Sequence, residues 1–367
     1  MTAVTLGRTT HAVASASTRA ASDPWRIAAL SLLSVRFIQG FIYWGGGSRR
    51  FIYAPAKLDP HAASWMANKF QSAMPGALLG TDHIIAFLLH HFALLYVSLI
   101  IFSASELIAG VFLIAGFLTR MAASASIGFS IVLMLMFGWQ GATCIDEWTM
   151  AASNVAMGAT LMLAGGGAFS IDNALLRRWP ALAGHSWFRW MGGAMPLPLP
   201  DRGFRTPALT VFAATAVFNV ATYSYYRGSV VTAFHGGPVS PAKHHLALAD
   251  GAVLPDGSVR FYAYLNGGTP AAPSNIMAAT LMARDGSVLE QWDGAALSHL
   301  PPSVIANEFA YNRFAPGPFG LSAKMGAKAT ITLPGIAKAE PDMPGKAATL
   351  RLRTVNGNSF ELPVKAS

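Results

Sequence analysis

The sequence is poor in charged residues and in cysteine. Only 12% of its 367 residues are Asp, Glu, Lys or Arg, about half the share found in soluble globular proteins. The single cysteine, Cys144, excludes a disulfide within the chain, a CxxC redox pair, a c-type haem attachment motif and an iron–sulfur cluster held by cysteines of one chain. A GxGxxG phosphate-binding loop is also missing. The sequence therefore contains no motif for a haem, flavin or iron–sulfur cofactor.

Hydrophobic residues make up 53% of the chain, and many of them are gathered in five long runs. A helix needs about 20 mostly apolar residues to cross a bilayer, and each run is long enough. The runs are residues 27–44, 92–118, 121–139, 148–166 and 207–226. They predict a membrane α-helical protein, with a four-helix bundle followed by a fifth anchoring transmembrane helix.

The distribution of basic residues predicts the orientation. Three arginines precede the first run, Arg120 lies between the second and third runs, and five arginines lie between residues 177 and 205. Because basic residues are enriched in cytoplasmic segments, we expect a multi-pass protein of the cytoplasmic (inner) membrane. Its N-terminus would be cytoplasmic and its C-terminal region periplasmic. The same rule accounts for the net charge of +9, so a nucleic-acid partner is not indicated.

Composition divides the chain into five parts. They are a disordered N-terminus (1–26), the four-helix bundle (27–182), a Pro-rich linker (183–206), the fifth helix (207–227) and a C-terminal domain (228–367). In the last part the hydrophobic period changes to two, and Asp-Gly or Asn-Gly pairs typical of hairpin turns recur. We expect an extracytoplasmic antiparallel β-sandwich there, with strands at 258–264, 277–282, 288–292, 328–333 and 349–354.

Two charged side chains lie inside apolar runs, Arg36 in the first and Glu106 in the second. A charge at the bilayer centre costs about 2.5–3.5 kcal/mol on insertion scales, so the two most simply form an ion pair. The pair either only fixes helix packing or belongs to a site for a membrane quinone, whose reduction needs hydrogen-bond donors and a proton source. Gln39 and Tyr43 share the helix face of Arg36. Asn154 of the fourth run either joins this quinone site or forms an interhelical hydrogen bond.

The short segment between the third and fourth runs contains Cys144, Asp146 and Glu147. One interpretation is a small side chain beneath a turn, with solvated acids. The other is a catalytic site in which the thiol forms a bond to a sulfur substrate. Neighbouring carboxylates raise the pKa of a thiol, so the second interpretation requires a cation nearby.

Cations for such a site lie in the loop between the first two runs, on the same predicted side of the membrane. A basic pocket would attract a small dianion and would also lower the pKa of the thiol. The candidate substrate-binding residues are Arg49, Arg50, Lys57, His61, His83, His90 and His91, with Lys69 in the same loop. A metal site is not predicted, because adjacent histidines point in different directions on a helix.

Several stretches resemble the DoxX/DoxD family of membrane proteins. They are Glu106–Gly110 with its continuation Gly116–Arg120, and Gly165–Asp172 at the end of the fourth run. The Thr-Cys-Ile-Asp-Glu-Trp turn and the long first loop resemble DoxD in particular, and the region after residue 207 resembles its partner subunit DoxA. The resemblance implies a fused thiosulfate:quinone oxidoreductase. Such an enzyme oxidises two thiosulfates to tetrathionate and passes the electrons to quinone, its acceptor in the lipid bilayer.

Two other functions are compatible with the sequence. One is a non-catalytic membrane subunit that docks a separate dehydrogenase, and the other is a carrier for sulfur anions. A carrier needs a continuous polar path, which Arg36, Gln39 and Asn154 do not establish. A homo-oligomer is also compatible with the sequence.

Overall fold

The computed structural model describes residues 23–140, 147–194, 196–227, 244–335 and 348–366. The chain forms two compact units. Unit 1 comprises Met1–Pro55, Ile100–Val132 and Met150–Ala221, and unit 2 comprises Ala56–Leu99, Leu133–Thr149 and Thr222–Ser367. The predicted disordered segment 1–26 lies almost wholly outside the described residues.

Ten described helices precede the β domain. They are α1 (Asp23–Ser31), α2 (Leu33–Ser48), α3 (Met66–Ala73), α4 (Thr81–His90), α5 (Phe92–Ala115), α6 (Thr119–Phe137), α7 (Glu147–Ala164), α8 (Ile171–Arg178), α9 (Ser186–Met191) and α10 (Asp201–Arg227). A π-helical turn, Arg49–Tyr53, continues α2, and short 3₁₀ turns lie at Pro55–Leu58, Met74–Gly76 and Pro180–Gly184.

Four of the described helical stretches are long and apolar enough to cross a membrane, and the chain is therefore a membrane protein. They are Ile27–Tyr53, Phe92–Ala115, Thr119–Phe137 and Arg202–Tyr226. The fourth predicted run forms α7, which contains Glu147, Asn154 and many small residues and is not one of these four. The prediction of five membrane spans therefore stays a prediction.

The predicted linker is partly helical. It contains α9, and α10 begins at Asp201 rather than at Pro207. The sequence placed the helix start at Pro207 because proline suits the first position of a helix. Instead Phe204 N already donates to the Pro200 carbonyl, so the helix is established before the proline is reached.

Within unit 1, α2 and α5 pack antiparallel through glycines. A Cβ on Gly110 would lie 2.2 Å from the backbone nitrogen of Trp44, and one on Gly47 would lie 2.6 Å from Leu107 Cβ. Gly40 is equally tight against Ile114. Small residues permit such close approach of helix backbones in membranes, and these contacts fix the register of the two helices.

Asp172, which is fully buried, caps the start of α6 in unit 1. Its carboxylate accepts hydrogen bonds from Leu118 N (2.9 Å), Thr119 N (3.1 Å) and Thr119 Oγ1 (3.0 Å). The two backbone N–H groups lie at the start of α6, where the helix itself offers them no acceptor. The Arg120 guanidinium donates to the carbonyls of Arg189 and Gly192. Two of the stretches that resemble the DoxX/DoxD family, 116–120 and 165–172, are thus joined by hydrogen bonds through Asp172.

The C-terminal domain is a ten-stranded, almost entirely antiparallel sheet. Its strands are β1 (His245–Val253), β2 (Val259–Gly267), β3 (Ser274–Met282), β4 (Val288–Trp292), β5 (Ile305–Asn307), β6 (Phe314–Gly317), β7 (Gly320–Ala323), β8 (Lys328–Leu333), β9 (Ala348–Thr354) and β10 (Ser359–Ala366). A short helix, α11 (Gly294–Ser298), follows β4. The strand order is β5-β8-β2-β1-β10-β9-β3-β7-β6, with β4 added to β3. Only the β1–β10 pairing is parallel among the described strands. All five predicted strands are confirmed within a few residues.

Unit 2 also includes most of the loop between the first two spans. The helices α3 and α4 occupy much of this loop. Its apolar side chains form a core with the start of α5, the end of α6 and two residues of the β domain, Phe309 and Tyr311. The buried members include Trp65, Ile85, Leu89, Phe137 and Phe309.

Candidate functional site

A column of polar side chains lies in the core of unit 1. The Gln39 amide nitrogen donates to Ser126 Oγ (3.1 Å) and to the Asn154 carbonyl (3.0 Å). One turn further along α2, Tyr43 Oη lies 2.8 Å from the Ser126 carbonyl and 2.6 Å from Ser130 Oγ. The structure therefore brings together three of the five predicted quinone-site residues, Gln39, Tyr43 and Asn154.

Two acceptors in this column lack a hydrogen-bond partner. Gln39 Oε1 and Asn154 Oδ1 are both buried and unpaired, on residues that are 0% and 2% exposed. An unsatisfied buried polar atom costs about 1–3 kcal/mol, so such atoms call for an explanation. A hydroxyl, such as that of a quinol or of water, would satisfy either oxygen.

The predicted ion pair between Arg36 and Glu106 is wrong. The Arg36 guanidinium donates to the carbonyls of Gly166 and Phe169, in the turn after α7. It lies against Gly116, ten residues beyond Glu106, which corresponds to about 15 Å along a helix. The antiparallel glycine register of α2 and α5 sets this separation, and the sequence did not reveal that register.

Glu106 instead forms an ion pair with Arg50. The same guanidinium lies 3.4 Å from Ser103 Oγ and 5.8 Å from the ring centre of Phe102. Both charged side chains are largely buried, at 15% and 12% exposure. Arg50 was predicted to bind thiosulfate, but the π-helical turn after α2 directs it to Ser103 and Glu106 in the middle of α5.

Space is left beside the Glu106 carboxylate. A Cβ on Gly46 would lie 3.6 Å from Glu106 Oε2, and one on Gly45 would meet no atom within 4 Å. Aromatic rings continue along the same helix, with Phe41 5.4 Å from Trp44 and Trp44 6.3 Å from Tyr53, measured between ring centres. The Glu106 carboxylate thus faces Gly46, and the neighbouring Gly45 opens onto free space.

The predicted thiosulfate residues are spread over both units. Arg49 and Arg50 belong to unit 1, whereas the loop residues Lys57, His61, His83, His90 and His91 belong to unit 2. The structure does not gather these loop residues into one pocket. His61 and His83 are exposed on different segments, His91 Nδ1 contacts the Phe87 carbonyl at 2.7 Å, and the His90 ring packs 4.8 Å from Phe309 of the β domain.

Lys69, in the loop between the first two runs, forms an ion pair with Glu147, which follows the Cys144 segment. Its Nζ lies 3.0 Å from Glu147 Oε1 and 5.2 Å from the ring centre of Phe137. Cys144 and Asp146 lie outside the described residues, and Glu147 is the first described residue after them. The cation required beside the Cys144 thiol therefore stays a prediction, and the described pair is the one between Lys69 and Glu147.

The β domain presents a second cation on the side that carries Phe309. Lys328 Nζ lies 4.9 Å from the ring centre of Tyr264, 5.7 Å from that of Phe309 and 3.7 Å from Glu308 Oε1. Burial raises the pKa of the Tyr264 phenol above its ordinary value, so this group stays protonated at neutral pH. Among the described residues, no group of three or more His, Cys, Asp or Glu is arranged to hold a metal.

Comparison with known families matches two stretches of the chain. Residues 31–197 match the family model described as "TQO small subunit DoxD", and residues 226–362 match that described as "TQO small subunit DoxA". The two families are fused in one chain. No solved structure matches the chain.

Proposed function

We propose that this chain, which carries the DoxD and DoxA families in one polypeptide, is a membrane thiosulfate:quinone oxidoreductase that forms tetrathionate. The observation that carries the proposal is the presence of both families, each described as a small subunit of TQO, in a protein with membrane-spanning helices. A chain with both parts would need no separate partner subunit.

The proposed thiosulfate site lies in unit 2, where the first loop, the β domain and the residues flanking Cys144 belong to one compact body.

In the first step the Cys144 thiolate and the outer sulfur of thiosulfate form an S–S bond, and the two electrons released reduce quinone, which takes up two protons. In the second step another thiosulfate attacks that sulfur, which releases tetrathionate and restores the thiolate. Asp146 and Glu147 belong to this site. Lys69 supplies positive charge that attracts the dianion and partly offsets the two acids.

The proposed quinone site lies beside Glu106 in unit 1. The Arg50 guanidinium donates to a quinone carbonyl, Glu106 supplies a proton, and the open space at Gly45 and Gly46 admits the ring. The polar column of Gln39, Tyr43 and Asn154 leads toward this level of α2 and provides groups that can pass protons. Arg36 belongs to the opposite end of the helix, where we assign it to holding the turn after α7 rather than to the quinone.

We place this protein in the cytoplasmic membrane with its N-terminus inside. Counting α7 as a span gives five crossings, which puts the first loop and the β domain together on the periplasmic side. A two-layer sandwich is the proposed packing of the β domain. These assignments rest on the distribution of basic residues and on the residue content of unit 2.

The test is a thiosulfate-dependent assay on the purified full chain with a short-chain quinone, monitored at a quinone wavelength, with tetrathionate measured in parallel. We expect one tetrathionate per quinol. Cys144→Ser should abolish turnover while leaving the unfolding temperature unchanged, and near-normal turnover of this variant would refute the covalent step. A wild-type chain that reduces no quinone alone would instead support the docking-subunit alternative. Thiosulfate uptake into vesicles without quinone reduction would support the carrier.

A further inference from the structure

The helix α3 connects the β domain to the residues on both sides of the Cys144 segment. Its C-terminal carbonyls have no partner within the helix, and side chains from the end of α6 satisfy them. Trp139 Nε1 donates to the Ala73 carbonyl at 2.9 Å, and Gln140 Nε2 donates to the Ser72 carbonyl at 2.7 Å. From the other side, Glu147 forms its ion pair with Lys69, in the middle of the same helix.

The opposite face of α3 is fastened to the β domain by two amide side chains. Gln71 Nε2 donates to the carbonyls of Asn312 (2.8 Å) and Gly326 (2.9 Å), and Gln71 Oε1 accepts from Asn312 N at 2.8 Å. Asn312 Nδ2 in turn donates to the carbonyls of Asn68 (2.8 Å) and Met325 (2.7 Å). Gln71 is 0% and Asn312 4% exposed, so these bonds are shielded from water.

The β-domain backbone at Gly326 lies directly against α3 at Gln71. Gly326 has φ +81°, and a Cβ at this position would lie only 2.1 Å from the Gln71 carbonyl oxygen. Only glycine fits there, both because of the left-handed conformation and because of the close approach. The contact is therefore built from specific hydrogen bonds and from a specific backbone geometry on both sides.

We infer that Gln71 and Asn312 are positioning residues through which the β domain fixes α3, and with it the Lys69–Glu147 pair. This inference rests on the proposed function for its catalytic consequence. It gives the DoxA-like domain a definite role. The domain affects thiosulfate binding through Gln71 of α3, which lies two residues after Lys69 in the sequence. Side chains of the domain itself do not bind the thiosulfate. Lys69 reaches Glu147 from a helix whose placement depends on the buried amides.

The chain provides a matched control for Asn312. Asn307 has the same side chain and also makes two hydrogen bonds to backbone groups, donating to the Phe314 carbonyl (3.0 Å) and accepting from Phe314 N (2.8 Å). Both bonds lie within the β domain and do not involve α3. Asn312→Ala and Asn307→Ala therefore each remove two side-chain hydrogen bonds, but only the first removes a bond to α3, the one to the Asn68 carbonyl.

The first measurement does not depend on activity. Hydrogen–deuterium exchange on the full chain in detergent should show at least tenfold faster exchange of the α3 amides in Asn312→Ala and in Gln71→Ala, with Asn307→Ala at the wild-type rate. In addition, a protease site inserted within 228–243 should leave the cleaved β domain bound to the membrane part, and Asn312→Ala should release it. Wild-type exchange and full retention in Asn312→Ala would overturn the inference.

The second measurement separates positioning from simple destabilisation. Asn312→Ala should raise the thiosulfate KM about tenfold and change kcat at saturating thiosulfate less than twofold, because partial unfolding would lower kcat and leave KM unchanged. Lys69→Met should raise KM similarly, and the double variant should be no worse than Lys69→Met alone. Additive effects, or a loss in kcat only, would overturn the route through Lys69. An inactive wild-type chain would refute the proposed function, while exchange and release would still decide the positioning role.

Discussion

The ion pair of Glu106 and Arg50 gives the sharpest test of both the structure and the quinone site. Glu106→Gln removes one partner and leaves a largely buried guanidinium without its carboxylate. Breaking a buried pair in this way costs about 3–5 kcal/mol, whereas replacing both partners is often neutral. Because the two side chains are still 15% and 12% exposed, we expect a value near the lower end, about 2–3 kcal/mol. Arg50→Gln should cost a comparable amount.

The double variant Arg50→Gln/Glu106→Gln should recover most of this stability, with a coupling energy of about 3–5 kcal/mol in the cycle. The sequence alone favoured Arg36 as the partner, so Arg36→Gln/Glu106→Gln is the competing double variant. We expect it to be additive, since Arg36 bonds to the Gly166 and Phe169 carbonyls. Thermal unfolding in detergent measures the stability loss of each single and double variant. Arg49→Gln, at the exposed neighbouring position, is the control. Rescue of Glu106→Gln by Arg36→Gln instead would refute the described helix register.

Quinone turnover in the same variants shows whether Glu106 only stabilises the helix packing or also supplies a proton. If Glu106 supplies a proton to quinone, the stability-restored double variant should still reduce quinone at least tenfold more slowly than wild type, because the amide cannot deliver a proton. Thiosulfate binding should be unchanged, since Lys69 and Glu147 belong to the other unit. Full recovery of turnover in the double variant would mean that the pair only stabilises the helices.

Three further predictions concern single positions. Gly110→Ala should destabilise the protein by about 1–3 kcal/mol, because the new methyl group would overlap the Trp44 backbone; an unchanged unfolding temperature would contradict the close packing of α2 and α5. Asp172→Ala should cost about 3 kcal/mol or more, since three donors to a buried carboxylate lose their acceptor, and Asp172→Asn should cost less; equal losses would argue against this capping. Lys69→Met should change stability by less than about 1 kcal/mol, because the ion pair is half exposed. It should also weaken the salt dependence of the thiosulfate KM, and an unaltered salt dependence would remove Lys69 from the anion site.

Several features could be predicted from the sequence because they depend on local pattern. The apolar runs gave the helices, and the period of two with Asp-Gly and Asn-Gly turns gave strands such as Val288–Trp292 and Lys328–Leu333 at their observed bounds. The shared face of Arg36, Gln39 and Tyr43 followed from helical spacing and is confirmed by their burial.

Partners across elements could not be predicted in the same way. Glu106 has two arginines within reach in principle, and only the glycine contacts of α2 with α5 decide that Arg50 meets it. Gln71 and Asn312 are ordinary polar residues more than two hundred positions apart, and no local pattern marks them as partners. Ser126 and Ser130 were missed for a similar reason, because serines in a membrane helix are common. Their spacing of four residues, which places them on one helix face, was the available signal.

The sequence by itself determined that this is a membrane protein with a β domain, and it placed the rare charges and the single cysteine where chemistry is to be expected. Hydrophobic length and periodicity suffice for that, because they act within one segment at a time. Only the tertiary structure decided which charges are partners and that α3 joins the β domain to the residues flanking Cys144. Those outcomes depend on helix register and on buried hydrogen bonds between distant segments, which form only when the chain is packed.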